Sequence, residues 1–305
     1  MARGDIKTMN EKVIIVKLWG GLGNQLFQYA YAYHVAKKNE CKLVLDISWF
    51  KRQDLREPEI LKLNVKYDDI CELWDKNKAI GFWNKSTPNR ILRILPYAKY
   101  RIAKMDYLKE SRGKYVAPIA RFNSQKAYLD GYWQCPMYFD EVKEDLKALF
   151  APVTISDEVI ALGEQLKRNN TVAVHIRRGD YPTKKIWYSR LKTIGNEYYK
   201  SAIRIMKNIN PNAEYYLFSN DVAGTKGMIE DIIGEPINVL PLNKCSALDE
   251  WYLMSCCQNQ IIGNSTFSWW TAYINGCENK KVIAPDGYMG NDDILPEDWI
   301  RVSLN

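Results

Sequence analysis

Hydrophobic side chains in this sequence fall into short, separated blocks whose spacing predicts a repeated alternation of strand and helix. The run VIIVK at 13–17 is short and β-branched. It leads into the glycine-rich stretch WGGLGNQ, after which Leu26, Phe27, Ala30 and Tyr31 recur at the spacing of one helix face. Lys37, Lys38 and Glu40 mark the solvated end of that helix, and KLVLDI supplies a second strand ending near Asp46. Strand, tight turn, helix and strand in this order open an α/β domain. Residues 50–135 are less regular, with scattered charges, prolines at 58, 88 and 96, and aromatics that predict packing between short helices. AYLDGYWQCPMYF at 127–139 returns to a strand-like segment and a turn, and the amphipathic helix EVKEDLKALF follows.

A second α/β set begins at TVAVHIRRGD, where Val172 to Ile176 is apolar and β-branched enough for a parallel strand buried on both faces. Tyr198 to Asn208 reads as a helix, YYLFSND at 215–221 as a strand and its exit, GMIEDIIG as a helix and INVL as a short strand. SALDEWYLMSCCQ is a helix, QIIGN a strand, STFSWWTAYIN a helix starting at a hydroxyl cap, and KKVIAP the last strand. Periodicity breaks at 150–170. The expected division is therefore 1–155 and 156–305, two domains facing each other across a cleft, with no internal repeat or low-complexity tract.

Length and composition agree with two domains: 305 residues, 47% of them hydrophobic, exclude a single small module. No stretch approaches the ~18 uncharged apolar residues of a spanning helix, and the N-terminus passes through Arg3, Asp5, Lys7, Glu11 and Lys12 before its first hydrophobic segment. Seven cysteines without a CxxC pair fit a reducing, cytoplasmic compartment. The net charge of +7 raises nucleic-acid, anionic-substrate and membrane-surface readings together. It is regional: residues 85–126 hold eleven Lys or Arg against two acids, a basic insertion in the first domain, and the rest of the chain is slightly acidic. Within it, NRILRILPYAKYRIAKMDY alternates apolar and basic positions, the pattern of either a solvated basic face or a peripheral contact with an anionic membrane. Basic residues are not interleaved with a recognised nucleic-acid module, so nucleic acid is not an expected partner.

Three turns carry candidate chemistry. In GGLGNQ, small residues after a strand allow backbone N–H groups and a helix N-terminus to approach an anion. Gly21 and Gly23 match the first two glycines of the dinucleotide fingerprint, but Leu26 stands at the third and Asp46 follows Gly21 by 25 residues. Asn24 and Gln25 are two amides where one cap suffices, so the surplus can reach a sugar or phosphate. In HIRRGD, Arg177 and Arg178 follow a buried strand and offer planar forks for phosphate oxygens, with Asp180 available to pair one of them. His175 is either a nucleobase contact or a packed strand-end histidine. In GNSTFSWW, the hydroxyls of Ser265, Thr266 and Ser268 cluster at a helix start and can seat phosphate, while Trp269 and Trp270 read as core. Asp221, ending a neighbouring strand, is either a nucleobase acceptor or an N-cap. Two histidines and dispersed cysteines supply no metal-ligand spacing, so the expected reaction uses no metal and no cofactor.

GGLGNQLFQYA at 20–30, HIRRGD, YLFSND and GNSTFSWW, in this order over nearly the whole chain, closely resemble the bacterial α-1,2-fucosyltransferase family, glycosyltransferase family 11. The resemblance implies a GT-B fold of two Rossmann-like domains. It also implies inverting, metal-independent transfer of L-fucose from GDP-β-L-fucose to a galactose 2-hydroxyl in a galactose-containing oligosaccharide or lipid-linked glycan, the alternatives being another GDP-sugar-dependent glycosyltransferase on the same scaffold or a non-catalytic glycan-binding protein. In the family's pattern Arg177 looks like the principal diphosphate contact and Arg178 its support. His175 and Asp221 look like guanine contacts, and Ser265 and Thr266 like diphosphate-side ligands. The turn bearing Gly21, Gly23, Asn24 and Gln25 looks like part of the acceptor side. Asp180 is a candidate base for the acceptor proton, and Asp46 of the first domain is an alternative.

Overall fold

The structure is a computed structural model that describes residues 11–52, 56–72, 105–110, 115–116, 124–177, 194–240 and 245–304. The chain divides into two compact units, one of Met1–Leu61 with Val65–Val142 and one of Lys62–Asn64 with Lys143–Asn305. Each unit is built on its own parallel sheet.

The first unit opens with β1 (Val13–Lys17), α1 (Leu22–Lys38) and β2 (Lys42–Asp46). It continues with β3 (Asp69–Cys71), β4 (Met105–Lys109) and β5 (Lys126–Asp130). The order is β3-β2-β1-β5-β4, every pair parallel. β1 is central because its three inner residues, Ile14, Ile15 and Val16, are apolar and β-branched and are buried on both faces. α1 is buried nearly all round, which is why it carries Leu26, Phe27, Ala30 and Tyr31 inward and buries Gln25, Gln28 and His34 as well. His34 is a packed histidine, its Nδ1 2.6 Å from the Tyr138 carbonyl.

Two parallel strands stand where short helices were expected within 50–135. β3 has three residues and β4 interleaves Asp106 and Lys109 with its apolar positions, so neither shows a clean two-residue period. Of the basic stretch 85–126, only 105–110, 115–116 and 124–126 fall among the described residues, and the MDY that ends its alternating pattern belongs to β4.

The second unit begins with the helices α2 (Lys143–Leu149) and α3 (Asp157–Arg168). β6 (Thr171–Ile176), α4 (Asn196–Ile209), β7 (Glu214–Ser219), α5 (Val222–Ile233) and β8 (Asn238–Val239) follow. The chain closes with α6 (Ala247–Cys256), β9 (Asn259–Ile261), α7 (Thr266–Ile274), β10 (Val282–Pro285) and β11 (Ile300–Val302). The sheet runs β11-β10-β9-β6-β7-β8, again all parallel. Val172, Val174 and Ile176 pack on Tyr198, Ala202 and Met206 of α4 and on Ile229 and Ile233 of α5. Ala173, on the opposite face, meets Val159 and Leu166 of α3 and Leu253 and Met254 of α6. Helices therefore cover both faces, and the sheet's carboxyl edge is left for ligands. KKVIAP is not the last strand: β11 adds three residues beyond β10, an edge too short to read from periodicity. Trp269 and Trp270 are both fully buried.

Candidate active site

The order of the second sheet singles out one location at its carboxyl edge. β6 comes first in the chain, β7 and β8 are added on one side of it and β9, β10 and β11 on the other. The exits of β6 and β9 thus diverge at a topological switch point. Val174 pairs with Ile261 and Ile176 with Ser219, so the segments 262–266, 175–177 and 219–221 leave the sheet side by side.

At the centre of the three, His175 has incomplete surroundings. Its ring stacks on Phe267 with 6.4 Å between centroids, and its carbonyl accepts from the Tyr199 hydroxyl at 3.3 Å. Among the described residues, Nδ1 is buried without a hydrogen-bond partner. Burial first, and then the Arg177 guanidinium, lower its pKa to about 3, so the imidazole is neutral at physiological pH. A neutral, buried ring with a bare nitrogen is an unmet hydrogen-bonding group of the kind that calls for an explanation. Gly263 belongs to the same arrangement. A methyl group there would lie 3.0 Å from the His175 carbonyl oxygen and 3.1 Å from the Tyr199 hydroxyl, so the β9 exit approaches β6 closely enough that a side chain would have to push its neighbours back by a few tenths of an ångström.

The hydroxyl-rich turn is held from outside. Tyr288, fully buried, accepts from the Ser265 amide at 2.9 Å and donates to the Ser265 carbonyl at 2.5 Å. Ser265 takes the N-cap position of α7 with no side-chain cap hydrogen bond, contrary to the expected hydroxyl cap, and Ser268 donates to the Ser265 carbonyl instead. Cap duty therefore does not consume the Ser265 hydroxyl, and Thr266 begins the helix beside it. On the other flank, Asp221 is an N-cap: Oδ1 accepts from the Gly224 amide at 2.9 Å, and the Ser219 hydroxyl accepts from the Asp221 amide at 3.0 Å. One carboxylate oxygen is thus engaged in starting α5. Arg177 leaves β6 as an exposed residue, while Arg178 and Asp180 lie outside the described residues.

The first unit has a corresponding turn between β1 and α1. Gly20 sits at φ +82°, and a methyl group on it would come within 2.8 Å of Asn24 Nδ2. Gly21 is the N-cap of α1, and the Arg56 guanidinium lies 3.8 Å from where a Gly21 side chain would begin. Gly23 is buried in the first turn of the helix. Gln25 does not reach outward as expected. It is fully buried, donates to the carbonyls of Gly20 and Glu57 at 3.0 Å each, and accepts from the Ile60 amide at 3.1 Å. Asn24 is half-buried and accepts from Gln134 Nε2 at 3.0 Å.

Asp46 is likewise closed off. It is fully buried, with Oδ2 on the Tyr128 hydroxyl at 2.6 Å and Oδ1 on the Ser48 amide at 3.0 Å, so this carboxylate ties β2 to β5 and cannot meet an acceptor hydroxyl. Among the described residues no three His, Cys, Asp or Glu side chains converge as a metal site, and no helix is long and apolar enough to cross a membrane.

Residues 82–302 match the family model described as glycosyl transferase family 11. The chain belongs to that family. Two Escherichia coli relatives of this family 11 chain are each 30% identical to it. One, named alpha-1,2-colitosyltransferase, aligns over 95% of this chain and 99% of its own length. The other, O-antigen biosynthesis glycosyltransferase WbnK, aligns over 93% and 99%. The chain also resembles the solved structure of a point mutant of Arabidopsis thaliana FUT1 in complex with GDP. That match is 14% identical, covers 89% of this chain and 70% of that one, and has a TM-score of 0.51. This is the GT-B architecture expected from the motifs.

Sequence reading missed Phe267, Tyr199 and Tyr288, which stack on or brace His175 and Ser265. All three are aromatic residues on helices or loops, indistinguishable in sequence from core. It also missed Gln134 and Arg56 near the first turn, whose partners are distant in the chain.

Proposed function

We propose that this family 11 glycosyltransferase moves L-fucose from GDP-β-L-fucose to the 2-hydroxyl of a terminal galactoside, with inversion to an α-1,2 linkage. The observation that carries the reading is His175, buried, neutral and with Nδ1 unpartnered, two residues before the outward-going Arg177. Its bare nitrogen and the remaining oxygen of Asp221 suit the edge of guanine. Arg177, with Arg178, takes the diphosphate, and the Ser265 and Thr266 hydroxyls at the start of α7 supply uncharged donors to the same oxygens. As the glycosidic bond breaks, charge grows on the β-phosphate, and a guanidinium beside it stabilises that charge. The acceptor hydroxyl approaches from the opposite face and loses its proton. With Asp46 engaged by Tyr128 and Ser48, we assign the base to Asp180.

A second donor calls for a parallel test because a 30%-identical relative is named for colitosyl transfer. Colitose is fucose without its 3-hydroxyl, so discrimination rests on the contacts of one hydroxyl. Purified protein is incubated with GDP-fucose or a colitosyl donor and a panel of galactosides, and the product linkage is assigned by NMR. An α-1,2-fucosylated product with release of GDP supports the reading. Turnover confined to the colitosyl donor selects the second. Glycan binding without turnover of any GDP-sugar refutes both.

A further inference from the structure

In the first sheet the chain adds β2 and β3 on one side of β1 and later returns to lay β5 on the other, so β1 and β5 diverge at a second switch point. Between their exits, beside the Lys17–Asp130 ion pair, runs the hydrogen bond from Gln134 Nε2 to Asn24 Oδ1 at 3.0 Å. Its geometry has a polarity. An amide offers an acceptor on one side and two donors on the other. With Oδ1 turned to Gln134, the Asn24 amide presents its N–H on the opposite side. Nδ2 lies over Gly20, in the space that Gly20 keeps open by having no side chain, and it meets no acceptor among the described residues.

Gln134 is itself held by a turn built for the purpose. The Glu110 carboxylate, at the exit of β4, accepts from the Tyr132 amide at 2.6 Å, the Trp133 amide at 2.9 Å and the Gln134 amide. Three consecutive N–H groups on one carboxylate fix the 132–134 backbone, including Trp133 at φ +58°, a left-handed conformation that a bulky residue adopts only when its surroundings impose it. Tyr132 is pinned as well, stacked on Trp19 at 4.1 Å between centroids.

We infer that Gln134 is a positioning residue that sets the orientation of the Asn24 side-chain amide, so that Nδ2 donates a hydrogen bond to an oxygen of a reacting sugar or phosphate. This rests on the glycosyl-transfer reading above and goes beyond it by assigning a polarity to the first unit's turn.

The test uses the order of three variants at position 134. Gln134→Glu is the closest in shape but can only accept, so it turns the Asn24 amide round and leaves its acceptor facing the substrate. Gln134→Ala frees the amide to rotate. Gln134→Lys keeps a donor to Oδ1. The expected kcat/KM falls about 30-fold for Glu, the loss when a hydrogen-bond donor is replaced by an opposed acceptor, and about threefold for Ala. Lys retains the most activity, and thermal midpoints stay close to the parent. A purely structural role predicts the reverse order, with the isosteric Glu mildest, and that result overturns the inference. Separate titration of GDP, GDP-fucose and galactoside shows whether the oxygen belongs to phosphate, donor sugar or acceptor.

Asparagine-selective 15N labelling separates failure of this inference from failure of the proposed function. The Asn24 side-chain amide signals, assigned by their loss in Asn24→Ala, shift in Gln134→Glu whatever the substrate is. Unmoved signals sink the assigned polarity, whereas shifted signals in a protein that turns over no GDP-sugar sink only the function.

Discussion

The turns at 20–25 and 263–268 are written in the same residue types, a glycine followed by polar side chains at the start of a buried helix, yet they do opposite things with their polar groups. In the first, Gln25 is enclosed and makes three hydrogen bonds, and Gln28 clasps both backbone polar groups of Trp19, leaving Asn24 as the outward-facing amide. In the second, Tyr288 secures the backbone of Ser265 from outside, so the Ser265 and Thr266 hydroxyls are not needed to start α7. A turn's capacity for ligand is what remains after internal hydrogen bonding, and two turns of like composition differ because distant residues settle the remainder.

The strongest way to break the comparison is to remove the charge beside the second turn. Arg177→Ala is expected to lower kcat about 100- to 1,000-fold, the range for loss of one preorganised donor to developing charge. Its exposure at the end of β6 means that the thermal midpoint should hardly move. Steady-state kinetics with the cognate GDP-sugar decide it. Retained turnover would place the diphosphate elsewhere than beside Arg177.

Gln25→Leu tests the other side. It removes the partners of the Gly20 and Glu57 carbonyls and of the Ile60 amide at a fully buried position. The expected loss is about 3 kcal/mol in denaturant unfolding, from buried polar groups left unpaired. Affinity for GDP, measured on the folded fraction, should be unchanged. A stable Gln25→Leu protein with weakened substrate binding would reverse the assignment of this residue.

These two residues also show what the sequence makes legible. HIRRGD could be read because a fully apolar strand delivers its next residues to the sheet edge, so periodicity alone points Arg177 outward. Gln25 and Asn24 could not be told apart, because Glu57, Ile60 and Gln134 decide their roles from distant positions. Asp46 looked like an available carboxylate for the same reason, its partner Tyr128 lying 82 residues away. Most of the regular strands and helices of both sheets followed from hydrophobic spacing, but α3 lies within 150–170, where periodicity was expected to break. β3 and β11, three residues each, carry too few positions to express a period, and β4 mixes charges into its five.

A pH measurement probes the centre of the second site with an effect that is smaller per pH unit. His175 titrates near 6.5 when unfolded and at about 3 when folded, held down mainly by burial. Below pH 6.5 the unfolded ring takes up a proton that the native ring refuses. Stability is therefore full above that value and falls by up to about 1.4 kcal/mol per unit as pH drops towards 3. His175→Asn should flatten this part of the profile. An equally steep fall in the variant would mean that other groups cause it, and that the native ring is not held neutral.

The smallest effects should come from the hydroxyls, and they sharpen the comparison most finely. Since Ser265 makes no side-chain cap bond, Ser265→Ala should shift stability by less than about 0.5 kcal/mol, whereas Asp221→Ala, which removes a cap bond to the Gly224 amide, should cost about 1 kcal/mol. Thr266→Ala, beside Ser265, should resemble the serine variant in stability. Both hydroxyl variants should weaken GDP by roughly fivefold, one neutral hydrogen bond each. Calorimetric titration and urea unfolding of the same preparations separate the two quantities. A Ser265→Ala protein that loses stability as Asp221→Ala does, with GDP affinity intact, would make the Ser265 hydroxyl a structural group, as Gln25 is in the first turn. Loss of affinity without loss of stability is the signature of hydroxyls left over for a ligand.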